Sequence, residues 1–435
     1  SFNCGAAPVT IGLTSAKSIV TSTTIDGGGT ITLSGQDATR LFDVSQGAIL
    51  TVRNLVLTNG FSSLDGGAIR NGALGSDTPG TVIIEHSTLR NNRSGLSGGA
   101  IVSTGPLTIT NSLLENNQAL NGGALYPRFA GAHATIVNST LRFNQAIDTT
   151  YGWGGAILAW DGASVTLDGS EVFSNTAQEG GSILIRPSAS VTLTDSVVHG
   201  NVADMGGGLS LHGTATLRRV TLADNRATTL GAGIANDVGG SVMLTDSVIR
   251  ANQAGSYGGG IRNNGTAQLI GVTLTGNTAG MDGGAIDNSG GQMALTNTVL
   301  DANTAQQLGG GLVNWQGVAA LNAVRVSANT AGTLGGGLFS SGTLTVTSST
   351  ISGNAAQHGG GVFAQNYNSL LWIWNSTIDG NTASGDGAGL DVFGTANFYN
   401  PSLAGQLVDD LSAVLDREGC QSVREMIGTL ILPGK

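Results

Sequence analysis

The 435-residue chain carries 70 glycines, 40% hydrophobic residues and only 11% charged ones. That apolar share can build a core and argues against disorder, while the glycines show neither the strict third-residue period nor the proline enrichment of collagen. A net charge of −10, with lysine only at Lys17 and Lys435, offers no basic stripe to a phosphate backbone, and no apolar run approaches the roughly 20 residues that span a bilayer, so neither nucleic acid nor a transmembrane segment is expected.

The first residue, Ser1, is not a methionine, which predicts that an export signal has been removed and that the chain works outside the cell or on its surface. From residue 24, "TIDGGGTITLSG" opens a glycine-punctuated, Thr- and Ile-rich pattern that recurs to about residue 405. Motifs of the form Gly-(Gly/Ala)-(Gly/Ala/Ser)-(Ile/Leu/Val) start at Gly66, Gly98, Gly122, Gly154, Gly180, Gly206, Gly231, Gly258, Gly283, Gly309, Gly335, Gly359 and Gly387, a period of about 27 residues. An asparagine column keeps step: Asn59, Asn92, Asn117, Asn144, Asn175, Asn201, Asn225, Asn252, Asn277, Asn303, Asn329, Asn354 and Asn381, each three residues after an apolar side chain such as Leu89, Val172 or Ile249.

Between the columns the chain alternates with period two, as in "TLTVTSS" at 343–349, where Leu344 and Val346 face one way and Thr343, Thr345 and Thr347 the other. This is the pattern of half-buried strands, about three short ones per period. A unit of this size cannot bury its own apolar face; stacking coil on coil does so. The expected fold is all-β: a single right-handed parallel β-helix over residues 1–405, a solenoid of about 14 coils. The handedness follows the general preference of parallel crossovers. Each asparagine is expected to take a left-handed conformation and pass side-chain hydrogen bonds to the neighbouring coils, and the glycines to permit sharp corners and close backbone approach.

The "GGAI" motifs at 66, 98, 154 and 283 with "NTA" at 175, 277, 303, 329 and 381 resemble the repeats of the chlamydial polymorphic membrane proteins and of bacterial exported β-helix proteins. The resemblance implies the fold and an exported, surface-displayed role. In the chlamydial family a Phe-x-x-Asn motif accompanies the glycines; here its Phe position is mostly Leu, Ile or Val.

After Gln406 the composition changes. Asn400 and Pro401 form a helix start, Leu403, Leu407, Leu411 and Leu415 recur every fourth residue until Gly419, and Ser422 with Glu425 makes a capping box. Residues 406–435 therefore read as a short α-helical cap over the last strand edges. Residues 393–430 also resemble the carboxyl end of the dihydroorotate dehydrogenase catalytic subunit, by which Gly394 and Thr395 would stand at a flavin phosphate; the reading kept is a cap, and no cofactor is expected. Cys4 and Cys420 lie at opposite ends, too far apart in a rod for an internal disulfide.

Candidate chemistry is sparse. Parallel β-helices include pectate lyases and polygalacturonases, but Asp168, Asp195 and Asp246 give no paired carboxylates on adjacent coils, Asp409 and Asp410 fall on the tail helix, and His86, His133, His199, His212 and His358 sit in different parts of their coils. Asp65, Glu179, Asp282 and Asp386 share one place before the glycines, yet Asn121, Met205, Leu308 and His358 interrupt it, so neither a catalytic residue nor a metal site is predicted. The outward column Ile83, Thr108, Thr135, Thr166, Thr192, Thr216, Met243, Gln268, Ala294, Ala320, Thr345, Trp372, Asn397 breaks its threonine array over four coils, against an ice-binding face.

The most irregular stretch, 122–161, collects Tyr126, Arg128, Phe129, His133, Asp148, Tyr151, Trp153, Trp160 and Asp161; a second cluster is Phe363, Tyr367, Trp372 and Trp374, with both tryptophans outward by parity. Tyr126, Phe129, Tyr151, Trp153, Trp160, Trp372 and Trp374 are therefore the candidate binding residues, since aromatic faces beside polar groups suit sugars or protein surfaces. The expected role is a non-enzymatic, exported structural or adhesive rod whose partners are glycans or other surface proteins. The alternatives are a carbohydrate-active β-helix enzyme, lyase or hydrolase, and a self-assembling extracellular subunit.

Overall fold

The computed structural model describes residues 7–399 apart from 46, 73–78, 366–368 and 394. Within them the chain winds as a parallel β-solenoid of about fifteen turns. One coil runs Ile261–Asn263, Thr266–Ile270, Thr273–Thr275, Thr278–Ala279, so four short strands appear where three are expected. The extra break is a corner of one left-handed residue, such as Asp195, Arg219, Asp246 or Asn297, that splits one run of alternation in two.

Like strands stack in register over successive coils, as in Leu209↔Ile234↔Ile261↔Ile286↔Leu312↔Leu338. The second and third strands of each coil form one 28-stranded sheet, the first strands a 15-stranded sheet, and the fourth strands sheets of 8 and 4. Side chains such as Leu217, Leu244, Leu269, Leu295 and Leu321 fill one continuous core between them. The core supplies the stability and the sheets the backbone pairing, so what each coil presents outward is free to vary.

The asparagine ladder is present from Asn92 to Asn381. Asn277 Nδ2 donates to Asn303 Oδ1 at 2.9 Å and to the Ile249 carbonyl at 2.9 Å, and its Oδ1 accepts from the amide and the side chain of Asn252. The same pattern repeats at Asn175, Asn201, Asn225, Asn252, Asn303, Asn329 and Asn354.

Two details of the expectation are corrected. Asn59 is not a rung: the Gly60 amide donates to Asn92 Oδ1 in its place. Asn59 does take the expected left-handed φ, but from Asn92 onward that conformation belongs to the residue before each rung, among them Asn91, Asn116, Phe143, Ser174, Asp224 and Ala251, because turning the corner there leaves the asparagine itself pointing inward. A second ladder, Asn236→Asn263→Asn288→Asn314→Ser340, runs along the far end of the 15-stranded sheet. The glycine pair divides two tasks. Gly154 takes φ +64°, and a β-carbon on Gly155 would overlap the carbonyl oxygen of Gly181 in the next coil. The predicted cap, the proposed boundary at 405/406, Cys4, Cys420 and Tyr367 lie outside the described residues.

Candidate functional site

In each three-residue strand of the 15-stranded sheet the first and third side chains enter the core, so the middle one must point away from it. That outward column includes Val102, Tyr126, Leu158, Leu184, Ser210, Ala235, Arg262, Asp287, Val313, Phe339 and Phe363. An outward column should be wet. Yet Tyr126 is 5% exposed, Leu184 0%, Ser210 2%, Asp287 1% and Phe339 0%, because side chains from the turns on either side close over the strands. The result is a seam running along the solenoid, roofed by residues that sit just before the glycine motif on one side and just after the strand on the other.

Over coils 102 to 186 the roof is aromatic. Trp153 comes from one side and Trp160 from the other; their rings lie 5.2 Å apart and pack over Val102, Tyr126, Leu158 and Leu184. Tyr151, 61% exposed, meets Trp153 edge-on at 6.0 Å. The Arg186 guanidinium caps the notch between the indoles, 4.7 Å from one ring and 4.8 Å from the other. Beside them Arg128 pairs with Asp161 at 2.7 Å and covers Phe129 at 4.8 Å. Burial pushes the Tyr126 phenol up to about 12, so it stays protonated.

One coil further the roof becomes acidic and basic. Glu179 stands in the column place of Trp153, one bridge along, and reaches across the seam. Its Oε1 accepts from Ser210 Oγ at 2.8 Å and contacts His212 Nε2 at 2.6 Å, while His212 Nδ1 lies 3.5 Å from Asp237 Oδ2. Burial alone would raise this carboxyl; the hydrogen bonds from His212 and Ser210, with the charges of His212 and Arg186, outweigh it and hold Glu179 below the usual carboxylate range. An ionised carboxylate accepts only, so Nε2 must carry the proton in this pair. The other ring nitrogen, Nδ1, is turned toward half-exposed Asp237.

Beyond this point the seam is structural in character. Arg262 pairs with buried Asp287 and covers Tyr257, and burial pushes neighbouring Asp282 up to about 6. Then Val313, Phe339 and Phe363 form an apolar run, with Trp315 stacked on Phe339 at 5.9 Å and Phe339 on Phe363 at 5.9 Å. Phe363 therefore does not join Trp372 and Trp374: those lie edge-to-face at 6.0 Å on the 28-stranded sheet, a different face of the solenoid.

Of the sequence candidates, the structure gathers Tyr126, Tyr151, Trp153 and Trp160, with Phe129 alongside, and leaves Trp372 and Trp374 apart. Arg186, Glu179, Ser210, His212 and Asp237 were not anticipated as a group. Their signal is visible only once coils are aligned: Trp160, Arg186, His212 and Asp237 are the residues that follow four successive seam strands.

The sequence model of the right-handed β-helix region matches residues 72–249 and 128–319. The chain belongs to the right-handed β-helix proteins. Among solved structures, this β-helix is similar to a mannuronic acid specific polysaccharide family 6 lyase from human gut microbiota, at 8% identity and TM-score 0.40, over 93% of this chain and 88% of that one. It is also similar to the A-module of the Azotobacter vinelandii mannuronan C-5 epimerase AlgE6, at 12% identity and TM-score 0.22, over 91% and 88%. A third is the Siphovirus 9NA tailspike receptor binding domain, at 9% identity and TM-score 0.22, over 91% and 73%. No curated protein sequence matches. The finer likenesses to chlamydial repeats and to dihydroorotate dehydrogenase gain no match.

The expectation of a non-enzymatic rod is corrected by these findings. A lyase and an epimerase stand among the solved structures similar to this chain.

Proposed function

We propose that this β-helix protein is a carbohydrate-active enzyme that binds an extended glycan along the seam roof and turns it over by acid–base chemistry, outside the cell. The observation that carries the proposal is the relay Glu179–His212–Asp237 beside the Trp153–Trp160 platform. Buried Glu179 fixes Nε2 and half-exposed Asp237 faces Nδ1, so the His212–Asp237 pair is the group that exchanges a proton with a bound substrate. Asp237 then stabilises the imidazolium that forms. Indole faces supply the apolar surface on which sugar rings pack, and Tyr151 widens it.

The test is a panel of polysaccharides incubated with the wild type, His212→Ala and Trp153→Ala. Product chains should appear with the wild type and fall by about 10²-fold or more in His212→Ala. Trp153→Ala should raise KM with a smaller change in kcat. Ultraviolet absorbance from an unsaturated chain end distinguishes elimination from hydrolysis, which yields reducing ends alone. Turnover that persists unchanged in His212→Ala would overturn the assignment.

A further inference from the structure

The arginines packed on the seam sheet follow one rule with one exception. Arg40 and Arg70 both pair with Asp43, at 2.7 and 2.8 Å, Arg128 pairs with Asp161, and Arg262 pairs with Asp287. Arg186 pairs with no carboxylate among the described residues, and its Nε is shielded from solvent with no acceptor. The nearby carboxylate, Glu179, is committed to His212 and Ser210 and acts on Arg186 only through its charge.

Both indoles lie to one side of the guanidinium, with Cζ 4.7 and 4.8 Å from ring centroids that are themselves 5.2 Å apart. Contacts of that kind hold the group in place; with Nε shielded, its two Nη groups are left for an acceptor, and such a pair matches two anionic oxygens in fork geometry. Arg186 and His212 follow successive strands, so an anion on Arg186 lies about one coil rise, ~4.8 Å, from the imidazole's level along the solenoid.

We infer that the glycan unit held at Trp153 and Trp160 is anionic, a sugar carrying a carboxylate or a sulfate ester, and that Arg186 is the residue that takes its charge. This rests on the glycan reading above, and deepens it from polysaccharide to acidic polysaccharide. Arg186 is here a specificity-determining residue, acting through binding.

The inference is tested by calorimetry on the full chain carrying His212→Ala, so that binding is read without turnover. The probes are a polyuronate oligosaccharide, its carboxyl-reduced neutral counterpart and a sulfated neutral oligosaccharide. The acidic probe should bind at least roughly ten-fold more tightly than the reduced one. Arg186→Gln should abolish that preference, and Arg186→Lys should keep part of it, since a point charge replaces the fork. Preference for the sulfated probe over the polyuronate supports the inference with sulfate as the anion. Equal affinity for charged and neutral probes, or a preference that survives in Arg186→Gln with an unchanged circular dichroism spectrum, overturns it. Charge-selective binding without wild-type turnover on any polysaccharide sinks the enzymatic reading and leaves the anion site standing.

Discussion

Replacing Asn277 by alanine removes one rung of the ladder, and its cost can be worked from the bonds it makes. The Asn252 amide has Asn277 Oδ1 as its acceptor at 3.1 Å, and in the variant this buried N–H is orphaned, which costs about 1–3 kcal/mol. The bonds from Asn277 Nδ2 to the Ile249 carbonyl and to Asn303 Oδ1 are also lost, at about 1 kcal/mol each, while the Asn252 side chain keeps the Leu222 and Arg250 carbonyls. Together these give about 3–5 kcal/mol. The control is Gln268→Ala in the same coil, whose side chain points outward and is exposed; it should change stability by less than about 0.5 kcal/mol. Denaturant unfolding followed by circular dichroism measures both. A loss under about 1 kcal/mol for Asn277→Ala would show that neighbouring coils relax to satisfy the gap, and the ladder would then be a consequence of stacking and not a cause of its stability.

Glu179→Gln should lower turnover while leaving glycan binding close to wild type, because a neutral amide oxygen holds the His212 ring less firmly than a carboxylate does; pre-steady-state turnover and calorimetry together check it. The folded pKa of Glu179 lies below its ordinary value of 4.5, so its ionised form contributes stability that is present above that value and lost as pH falls through the depressed folded value; acid unfolding of Glu179→Gln should lack this component. Asp282 has the opposite sign. Its carboxyl is raised by burial to about 6, so its contribution is full below pH 3.8 and lost as pH rises through 6, and Asp282→Asn should gain stability over the wild type at pH 8, on the order of 1 kcal/mol for a half-buried group, but not at pH 4. Gly155→Ala should yield little folded protein, since the new β-carbon meets the Gly181 backbone and no side chain can yield; expression and circular dichroism read the outcome.

What the sequence disclosed and what it withheld follow from the same geometry. Asn277 and Gly283 were legible because a stacked coil imposes its needs at the same place in every period, so the requirement is written a dozen times. The residue that turns the corner is misplaced by one because Asn91 and Asn116 are asparagines like the rungs Asn92 and Asn117 that follow them; only the backbone shows that the left-handed φ belongs to the position before. Trp153 and Trp160 were legible as a concentration of aromatics within one long coil. Glu179, Ser210 and His212 were not, because each is written once: Glu179 and His212 are 33 residues apart, which exceeds one period, and they meet only because one precedes its strand and the other follows the next.

This locates where chemistry can enter a solenoid at all. Core positions and rungs are constrained by stacking, and an outward residue in the middle of a broad sheet, such as Gln268, stacks between Met243 and Ala294 of its own column. The seam differs because its strands are three residues long, so that side chains from both flanking turns reach the same outward residue. Ser210 is touched from one side by Glu179 while the His212 ring meets the same carboxylate oxygen from the other, a convergence that a longer strand would hold apart. Lengthening that strand should therefore dismantle the relay while leaving the coil stacked. The short strand that makes the seam hard to read from sequence is also what lets Ser210 and His212 of one coil meet a single carboxylate oxygen of Glu179 from the coil before.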